Sequence, residues 1–152
     1  MTRSILALVF TFALGAVVGR MTLVSDNLVF AQGHKPFMMT RLFTGPDNLT
    51  HAEEMEAKFT ASGNGEGFKL LPITGAELRR APAGRLSDWH VGPRKQYVIT
   101  LSGHGELEVA GGKKIPVGPG HIELVEDTTG KGHITKVTGT EDRITLFLPL
   151  AE

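Results

Sequence analysis

Residues 84–103 constrain the fold of this chain more than any other stretch. Their sequence, GRLSDWHVGPRKQYVITLSG, places glycine and proline at positions 92 and 93, a pair that is typical of a tight reversal. Strand-forming residues on both sides predict two β-strands, residues 86–91 and Gln96–Ser102. The stretch therefore predicts a β-hairpin.

The predicted hairpin places several polar side chains on one face. Successive side chains of a strand point to opposite faces, so Asp88 and His90 lie on one face of the first strand. Gln96 and Val98 share a face of the second strand in the same way, and His133 begins a later predicted strand. The predicted pocket therefore consists of Asp88, His90, Gln96, Val98 and His133.

Short strands separated by glycines follow the hairpin to the end of the chain. They cover residues 106–110, 113–117, 121–126, 133–137 and 144–148. This spacing of strands and turns is typical of an all-β sandwich or barrel. Alternation with polar neighbours predicts that five apolar side chains are largely buried: Leu101, Leu107, Val109, Leu124 and Leu146.

The segment before the hairpin is less regular. We expect residues 38–43 to add an edge strand and residues 68–73 to form another strand. Residues 50–59 begin like a helix capping box but also alternate like a strand, and the β context favours the strand. Residues 74–80 fit either a helical turn or a strand.

Composition excludes several classes of protein. The chain contains no cysteine, which rules out disulfides, thiolate metal sites and cysteine nucleophiles. Its 16 basic and 16 acidic residues include no basic stripe of the kind that neutralises phosphates, so we expect no nucleic-acid partner. The length suits one ordinary domain.

Residues 1–31 resemble an export segment. Arg3 precedes an uncharged apolar run, residues 5–18, which is shorter than the roughly 20 residues that span a bilayer. Residues 29–31 fit the small-residue pattern that precedes a signal-peptide cleavage site. Charged residues between the run and that site leave an uncleaved membrane anchor as the alternative. We expect an exported protein, periplasmic or secreted, that contacts a membrane only through this segment.

Two stretches together resemble the two sequence motifs of the cupin superfamily. The residues that match the first motif, and then the second, are Gly84, His90, Gln96 and Gly103, followed by Gly130 and His133. The resemblance covers residues 67–149 and implies a single-domain antiparallel β-barrel, the double-stranded β-helix or jelly roll. It divides the chain into a signal peptide or anchor (1–31), an N-terminal arm with edge strands (32–66) and the barrel (67–152).

The resemblance also implies a metal site. His90 and His133 stand at ligand positions, and Gln96 replaces the family's carboxylate with an amide. The implied cofactor is one divalent transition metal, Fe, Mn, Ni or Zn, which imidazole and oxygen ligands suit. Gly92 stands where the family has a further histidine, so Gly92→His is expected to tighten metal binding. The alternative is a pocket in which the histidines bind no metal.

Several nearby residues have two interpretations. Arg79, Arg80 and Arg85 form either a solvated rim, which we favour, or a clamp for an anionic substrate. Asp127 serves either as an acid/base group or as a cap for the following turn, and the turn is favoured. Trp89 points away from His90 and is expected in the core.

Two functional hypotheses follow. One is a metal-dependent oxidoreductase or isomerase acting on a small polar molecule. The other is a non-catalytic module that binds such a molecule without a required metal. Both predict a small-molecule ligand, and both leave a homodimer open. The implied fold does not choose between them, because chemistry varies widely on one fold.

Overall fold

Residues 34–151 are described by a computed structural model, and their secondary structure is almost entirely β. The strands are β1 (Met38–Thr44), β2 (Thr50–Glu56), β3 (Thr60–Ser62), β4 (Gly65–Gly67), β5 (Glu77–Ala81), β6 (Leu86–His90), β7 (Gln96–Ser102), β8 (His104–Val109), β9 (Lys113–Val117), β10 (Ile122–Glu126), β11 (His133–Thr138) and β12 (Arg143–Pro149). The predicted all-β fold is confirmed. The predicted export segment, residues 1–31, lies outside the described residues.

Strand pairing produces two main sheets. One has six strands in the order β2-β1-β10-β7-β12-β5, and the other has four in the order β6-β11-β8-β9. The strands β3 and β4 form a separate hairpin. Neighbouring strands are antiparallel except β1 and β10, which are parallel. Within residues 34–151, no helix has the length and hydropathy that crossing a bilayer requires.

The core lies between the two sheets. Its buried members are contributed by both sheets: Leu42, Val98 and Val125 from the six-stranded sheet, and Leu107, Val109 and Val117 from the four-stranded sheet. Leu42, Leu107, Val109 and Val117 alternate with more exposed neighbours, whereas Val98 and Val125 adjoin Tyr97 and Leu124, which are buried on the opposite face of the sheet. Burying one of them fully contributes about 1.5–3 kcal/mol to folding.

A second apolar cluster covers the outer face of the six-stranded sheet. Tyr97, Leu124 and Leu148 form its buried centre, and Leu70 packs against them. The Tyr97 hydroxyl accepts a hydrogen bond from the Leu71 N–H at 3.3 Å. The prediction of a strand at residues 68–73 is wrong, because this segment packs on a sheet face and pairs only through an isolated Ile73–Leu150 bridge.

The predicted β6–β7 hairpin is wrong. The strands themselves are present, but β6 pairs with β11 in the four-stranded sheet, whereas β7 pairs with β10 and β12 in the other. Residues 91–95 therefore connect the two sheets instead of making a reversal within one. As a result, the two strands contribute side chains to opposite walls of the space between the sheets.

The N-terminal strands belong to the six-stranded sheet. The strand expected at residues 38–43 is β1, and it lies one place in from the edge because β2 covers it. Residues 50–56 form a strand, as the β context predicted. Residues 74–80 were expected to form either a helical turn or a strand. The structure has a strand there, since β5 pairs with β12 at the opposite edge of the sheet. Residues 35–152 form one compact unit.

Burial follows the predicted alternation except at one position. Leu107, Val109 and Leu124 are 0–5% exposed, and Leu146 is half-buried. Leu101 was expected in the core but is 47% exposed. The alternation is correct there, because Leu101 shares the outer face with Tyr97. That face is not covered at the end of β7, so the prediction of burial is wrong.

Candidate functional site

A cavity of about 400 Å³ lies between the two sheets and is lined in part by residues 91–93. Its walls come from β5, β7, β10 and β12 of one sheet and from β6 and β11 of the other. Four of the five predicted pocket residues line it: His90, Gln96, Val98 and His133. The volume lies within the range of about 300–1,000 Å³ that is usual for small-molecule sites.

A pair of histidines occupies one wall. His90 ends β6 and His133 begins β11, and the antiparallel register places them directly opposite each other. Their ring centroids are 4.5 Å apart, with the planes tilted by 54°. Residues opposite each other in adjacent strands share a face of the sheet, so both rings reach the same part of the cavity.

Each ring is held through its Nδ1 atom. His90 Nδ1 donates to the Asp88 carbonyl oxygen at 2.8 Å, and His133 Nδ1 donates to Asp127 Oδ2 at 2.6 Å. Both partners are acceptors, so in the neutral imidazole the ring proton lies on Nδ1 and Nε2 keeps a lone pair. Anchoring of this kind also fixes the ring orientation of histidines that ligate metals.

Asp127 is the residue that fixes His133. It is fully buried, and its Oδ2 also accepts a hydrogen bond from the Thr50 hydroxyl at 2.9 Å, while Oδ1 has no partner in the described residues. Its main-chain oxygen accepts from the Gly92 N–H at 3.0 Å. The sequence favoured a turn cap for Asp127. The structure instead places its carboxylate behind His133, six residues further along, and against Thr50, which lies 77 residues away and which no local pattern connects to it.

Gln96 faces the cavity from the opposite sheet. It is 3% exposed, yet its side-chain amide makes no hydrogen bond with any of residues 34–151. Its amide atoms are not among the fully buried side-chain atoms that lack a partner, so they remain accessible from the cavity. The amide is therefore free to bind a molecule in the cavity.

Asp88 does not line the cavity. Its side chain is exposed, and Oδ1 accepts a hydrogen bond from the Trp89 N–H at 2.8 Å. The register between β6 and β11 shifts between the pairs His90–His133 and Ser87–Thr135. This irregularity, typical of a β-bulge, directs Ser87 and His90 to the cavity and leaves Asp88 outside.

Gly92 leaves no space for a side chain. A Cβ atom built there would lie 2.6 Å from Val125 Cγ1 and 3.5 Å from Asp127 Oδ1. A histidine at this position would require Val125 to move. The expected gain in metal binding from Gly92→His therefore does not fit the local packing.

An ion pair missed by the sequence analysis lies deeper in the cavity. Arg143 Nη2 donates to Glu123 Oε1 at 2.6 Å, and both side chains are at most 5% exposed. Arg143 also donates through Nε and Nη2 to the Thr100 hydroxyl, at 3.1 and 2.7 Å. Glu123 shares the inward face of β10 with Val125, so alternation could have identified it. Removing one member of such a pair leaves an uncompensated buried charge.

Three more arginines lie at the cavity wall: Arg79, Arg80 and Arg85. Arg79 Nε and Nη2 donate to the two carboxylate oxygens of Glu77, both at 2.9 Å, and this contact lowers the pKa of Glu77 and raises the pKa of Arg79. The Arg79 guanidinium carbon lies 4.1 Å from the centroid of the Phe147 ring. The cluster expected at the pocket edge is therefore close to the predicted site.

Other residues considered in the sequence lie elsewhere. Trp89 is half-buried and not in the core, with Lys131 Nζ 3.7 Å from its ring centroid. Tyr97 is buried in the apolar cluster on the outer face of the six-stranded sheet. His104 is exposed, and burial lowers the pKa of His121, whose Nε2 has no hydrogen-bond partner in the described residues.

Whether the cavity can bind a metal ion depends on the ligand atoms that its wall offers. Within residues 34–151, no group of three or more His, Asp or Glu side chains is arranged to hold an ion. The available donors are the Nε2 atoms of His90 and His133 and the Gln96 amide oxygen, all on the cavity wall. Two anchored imidazoles fit a divalent metal, while the neutral amide contributes only a weak third ligand.

No protein-family model and no curated protein matches this chain. Solved structures similar to it include the cupin domain of Schizosaccharomyces pombe Cnp3, at 16% identity and a TM-score of 0.42, covering 78% of this chain and 86% of that one. The conserved Streptococcus pyogenes protein SPY1581, of unknown function, has 13% identity, a TM-score of 0.40 and coverage of 78% and 79%. An RmlC-like cupin protein from Desulfovibrio desulfuricans has 14% identity, a TM-score of 0.37 and coverage of 84% and 97%.

Similarity of this degree says nothing about function, since one fold supports many chemistries. The fold is therefore described from the geometry of this chain itself. Two sheets enclose a cavity, and the residues that resemble the first and second cupin motifs, His90 and His133, meet on its wall. The chain has an all-β, cupin-like fold.

Proposed function

We propose that this protein binds a small polar molecule in the cavity between the two sheets. One observation supports the proposal most directly: three polar side chains at the cavity wall keep unused hydrogen-bonding capacity. These are the Nε2 atoms of His90 and His133, whose Nδ1 atoms are already engaged, and the buried Gln96 amide. A ligand hydroxyl or amide would satisfy them.

The surrounding groups determine what the site can do. The two Nε2 atoms accept protons or hydrogen bonds, and the Gln96 amide both donates and accepts. Val98 and Val125 provide apolar wall on the six-stranded sheet, so a ligand can bury carbon atoms while its polar groups are matched. This combination supports selective binding of a small polar organic molecule.

Ligand-induced thermal stabilisation tests the proposal. A library of small polar metabolites is screened against wild type, Gln96→Leu and the surface control His104→Ala. We expect at least one compound to raise the melting temperature of wild type and the control but not of Gln96→Leu, because a ligand bound only to the native state stabilises it. Ligands that bind wild type and Gln96→Leu equally would place the site elsewhere and contradict the proposal.

A bound divalent transition metal is the second candidate, favoured by the way both histidines are anchored. Nδ1 donation to a carbonyl and to a buried carboxylate presents two Nε2 lone pairs to the same cavity. His90, His133 and Gln96 would hold the metal, with solvent completing its coordination. A bound Fe, Mn, Ni or Zn ion would act as a Lewis acid on a ligand oxygen, chemistry that suits an oxidoreductase or isomerase.

Elemental analysis distinguishes the two candidates. The protein is purified without a histidine tag or chelator, and its metal content is compared with that of His133→Ala and His104→Ala. The metal candidate predicts about one equivalent in wild type and the control and little in His133→Ala. If wild type is purified without metal and binds none at micromolar metal concentration, the metal candidate is wrong. Binding of a small polar molecule without a metal would then be the remaining proposal.

We also propose that the protein acts outside the cytoplasm. This rests on the charged start, apolar run and small-residue pattern of residues 1–31.

The homodimer stays a proposal as well, and sedimentation of the purified protein would decide it.

A further inference from the structure

The charges at the cavity wall are strongly one-sided. The lining contains four arginines, Arg79, Arg80, Arg85 and Arg143, and a single carboxylate, Glu123. Low-dielectric walls carrying one sign of charge concentrate ligands of the opposite sign. The lining therefore favours an anion wherever an arginine is not already neutralised by a carboxylate.

The four arginines differ in how far their charge is compensated. Arg143 is neutralised by Glu123 in the buried pair. Arg79 and Arg80 pair with Glu77 and Asp142, whose carboxylates are not among the lining residues.

Arg85 is the remaining cation, and it forms no ion pair with any of residues 34–151. Its main chain is held at the wall, since the Arg85 N–H donates to the Pro82 oxygen and its carbonyl accepts from the Val137 N–H at 2.8 Å. Val137 itself lines the cavity. The main chain of Arg85 is therefore fixed beside the pocket, and its exposed guanidinium carries a charge that no carboxylate of residues 34–151 pairs with.

Arg79 supplies a second guanidinium at the cavity wall; its Nε and Nη2 donate to Glu77, and its Nη1 has no hydrogen-bond partner among residues 34–151. The register between β5 and β12 places Arg79 opposite Thr145, which lines the cavity, so the two side chains share its face. Its stacking on Phe147 fixes the plane of the group. Planar guanidinium groups match carboxylates in two-point hydrogen bonding.

The cavity wall contains both apolar surface and polar groups, and together these define the ligand class. Val98, Val125, Val137 and Phe147 present apolar surface, whereas the histidine pair and Gln96 supply hydrogen-bonding groups. We propose that the ligand is a small organic carboxylate, whose anionic group binds Arg85 and Arg79 and whose body packs on the apolar wall. This inference rests on the proposed function of the same cavity.

Matched pairs of acids and amides test the class. Butyrate, benzoate and phenylacetate are compared with butyramide, benzamide and phenylacetamide by isothermal titration calorimetry, with inorganic phosphate and sulfate as further probes. We expect an acid to bind at least about tenfold more tightly than its amide, as a charged hydrogen bond predicts. Arg85→Gln and Arg79→Gln should reduce that ratio, and Lys58→Gln, an exposed charge outside the lining, should not.

The outcomes separate this inference from the proposal it rests on. Acids and amides that bind equally would overturn the carboxylate class and leave the binding cavity intact. Phosphate or sulfate binding more tightly than every acid would overturn it too. If no probe binds while the polar library yields ligands, the class is wrong and the cavity proposal stands. If neither yields ligands, both fall. Arg85 is exposed, so Arg85→Gln should keep the wild-type melting temperature and remain interpretable.

Discussion

Gly92 shows how one missing side chain shapes the site. The position is buried, and its N–H donates to the main-chain oxygen of Asp127, whose carboxylate orients His133. Because Val125 occupies the space that a Cβ would need, the glycine allows the connection between the sheets to approach β10 closely.

Substitution of Gly92 should therefore destabilise the fold. We expect Gly92→Ala to cost about 1–3 kcal/mol, the usual range for overpacking, measured by chemical denaturation. Gly75→Ala is the matched control, since a Cβ there meets nothing within 4 Å. In a double-mutant cycle, Gly92→Ala with Val125→Ala should cost less than the sum of the single changes. Equal effects at positions 92 and 75, or strict additivity in the cycle, would contradict the packing argument.

His121 provides a pH-dependent contribution to stability. Burial lowers its pKa below the ordinary value of 6.5, with Arg143 acting in the same direction and Glu123 and Glu54 opposing. The unfolded chain therefore binds a proton at His121 more readily than the folded chain does. This contribution to stability is present above pH 6.5 and is lost as the pH falls below it.

Replacing His121 should flatten the pH profile. Between pH 7.5 and pH 5, we expect wild type to lose more of its free energy of unfolding than His121→Asn loses. Urea denaturation at several pH values measures the free energy of unfolding of both proteins. Each protein's value at pH 8 is the reference for its own loss of stability at lower pH. Parallel profiles for the two proteins would show that His121 does not contribute.

At the scale of the strands, β1 has a larger role than an edge strand. It pairs with β2 on one side and with β10 on the other, and Leu42 is fully buried in the core between the sheets. The β3–β4 hairpin is different, since residues 60–66 are all exposed. Core contacts, and not strand pairing alone, determine how much each element stabilises the fold.

Two leucines on neighbouring parts of the six-stranded sheet test this distinction. Leu42→Ala should cost about 2–5 kcal/mol, because it removes a buried side chain and leaves a cavity. Leu101→Ala should change stability by at most about 0.5 kcal/mol, as expected for an exposed position. Chemical denaturation gives both values. Similar losses at the two positions would contradict the assigned burial.

At the scale of the whole molecule, the chain combines a β unit, residues 35–152, with an N-terminal segment that resembles an export signal. The unit carries the cavity and its lining residues. The segment is expected to determine location and not binding.

Export can be tested with a reporter. A fusion of residues 1–35 to a periplasmic reporter should be translocated in a bacterial host, because a charged start and an apolar run direct export. Leu8→Arg combined with Phe12→Arg interrupts the run and should abolish translocation. Mass spectrometry of the N-terminus then decides between cleavage after Ala31 and a retained anchor. A wild-type fusion that stays in the cytoplasm would contradict the prediction.

The sequence by itself determined most of the strands and, within regular strands, which side chains share a face. Alternation is a local property of two residues, so β7, β9 and β11 were predicted close to their observed bounds. The motif resemblance predicted that His90, Gln96 and His133 share one pocket, and alternation added Val98; all four line the observed cavity. Alternation within a strand needs no knowledge of which strands become neighbours, whereas the meeting of these side chains in one cavity depends on the fold.

Tertiary structure alone decided which strands pair and what covers each face. The pairing of β6 with β11 instead of β7, the bulge that excludes Asp88, and the exposure of Leu101 all depend on contacts between distant segments. The same is true of the contact of Asp127 with Thr50, 77 residues away, whereas its other partner, His133, is only six residues further along the chain. Local pattern cannot predict such contacts, because a strand's alternation is compatible with any neighbour of matching polarity.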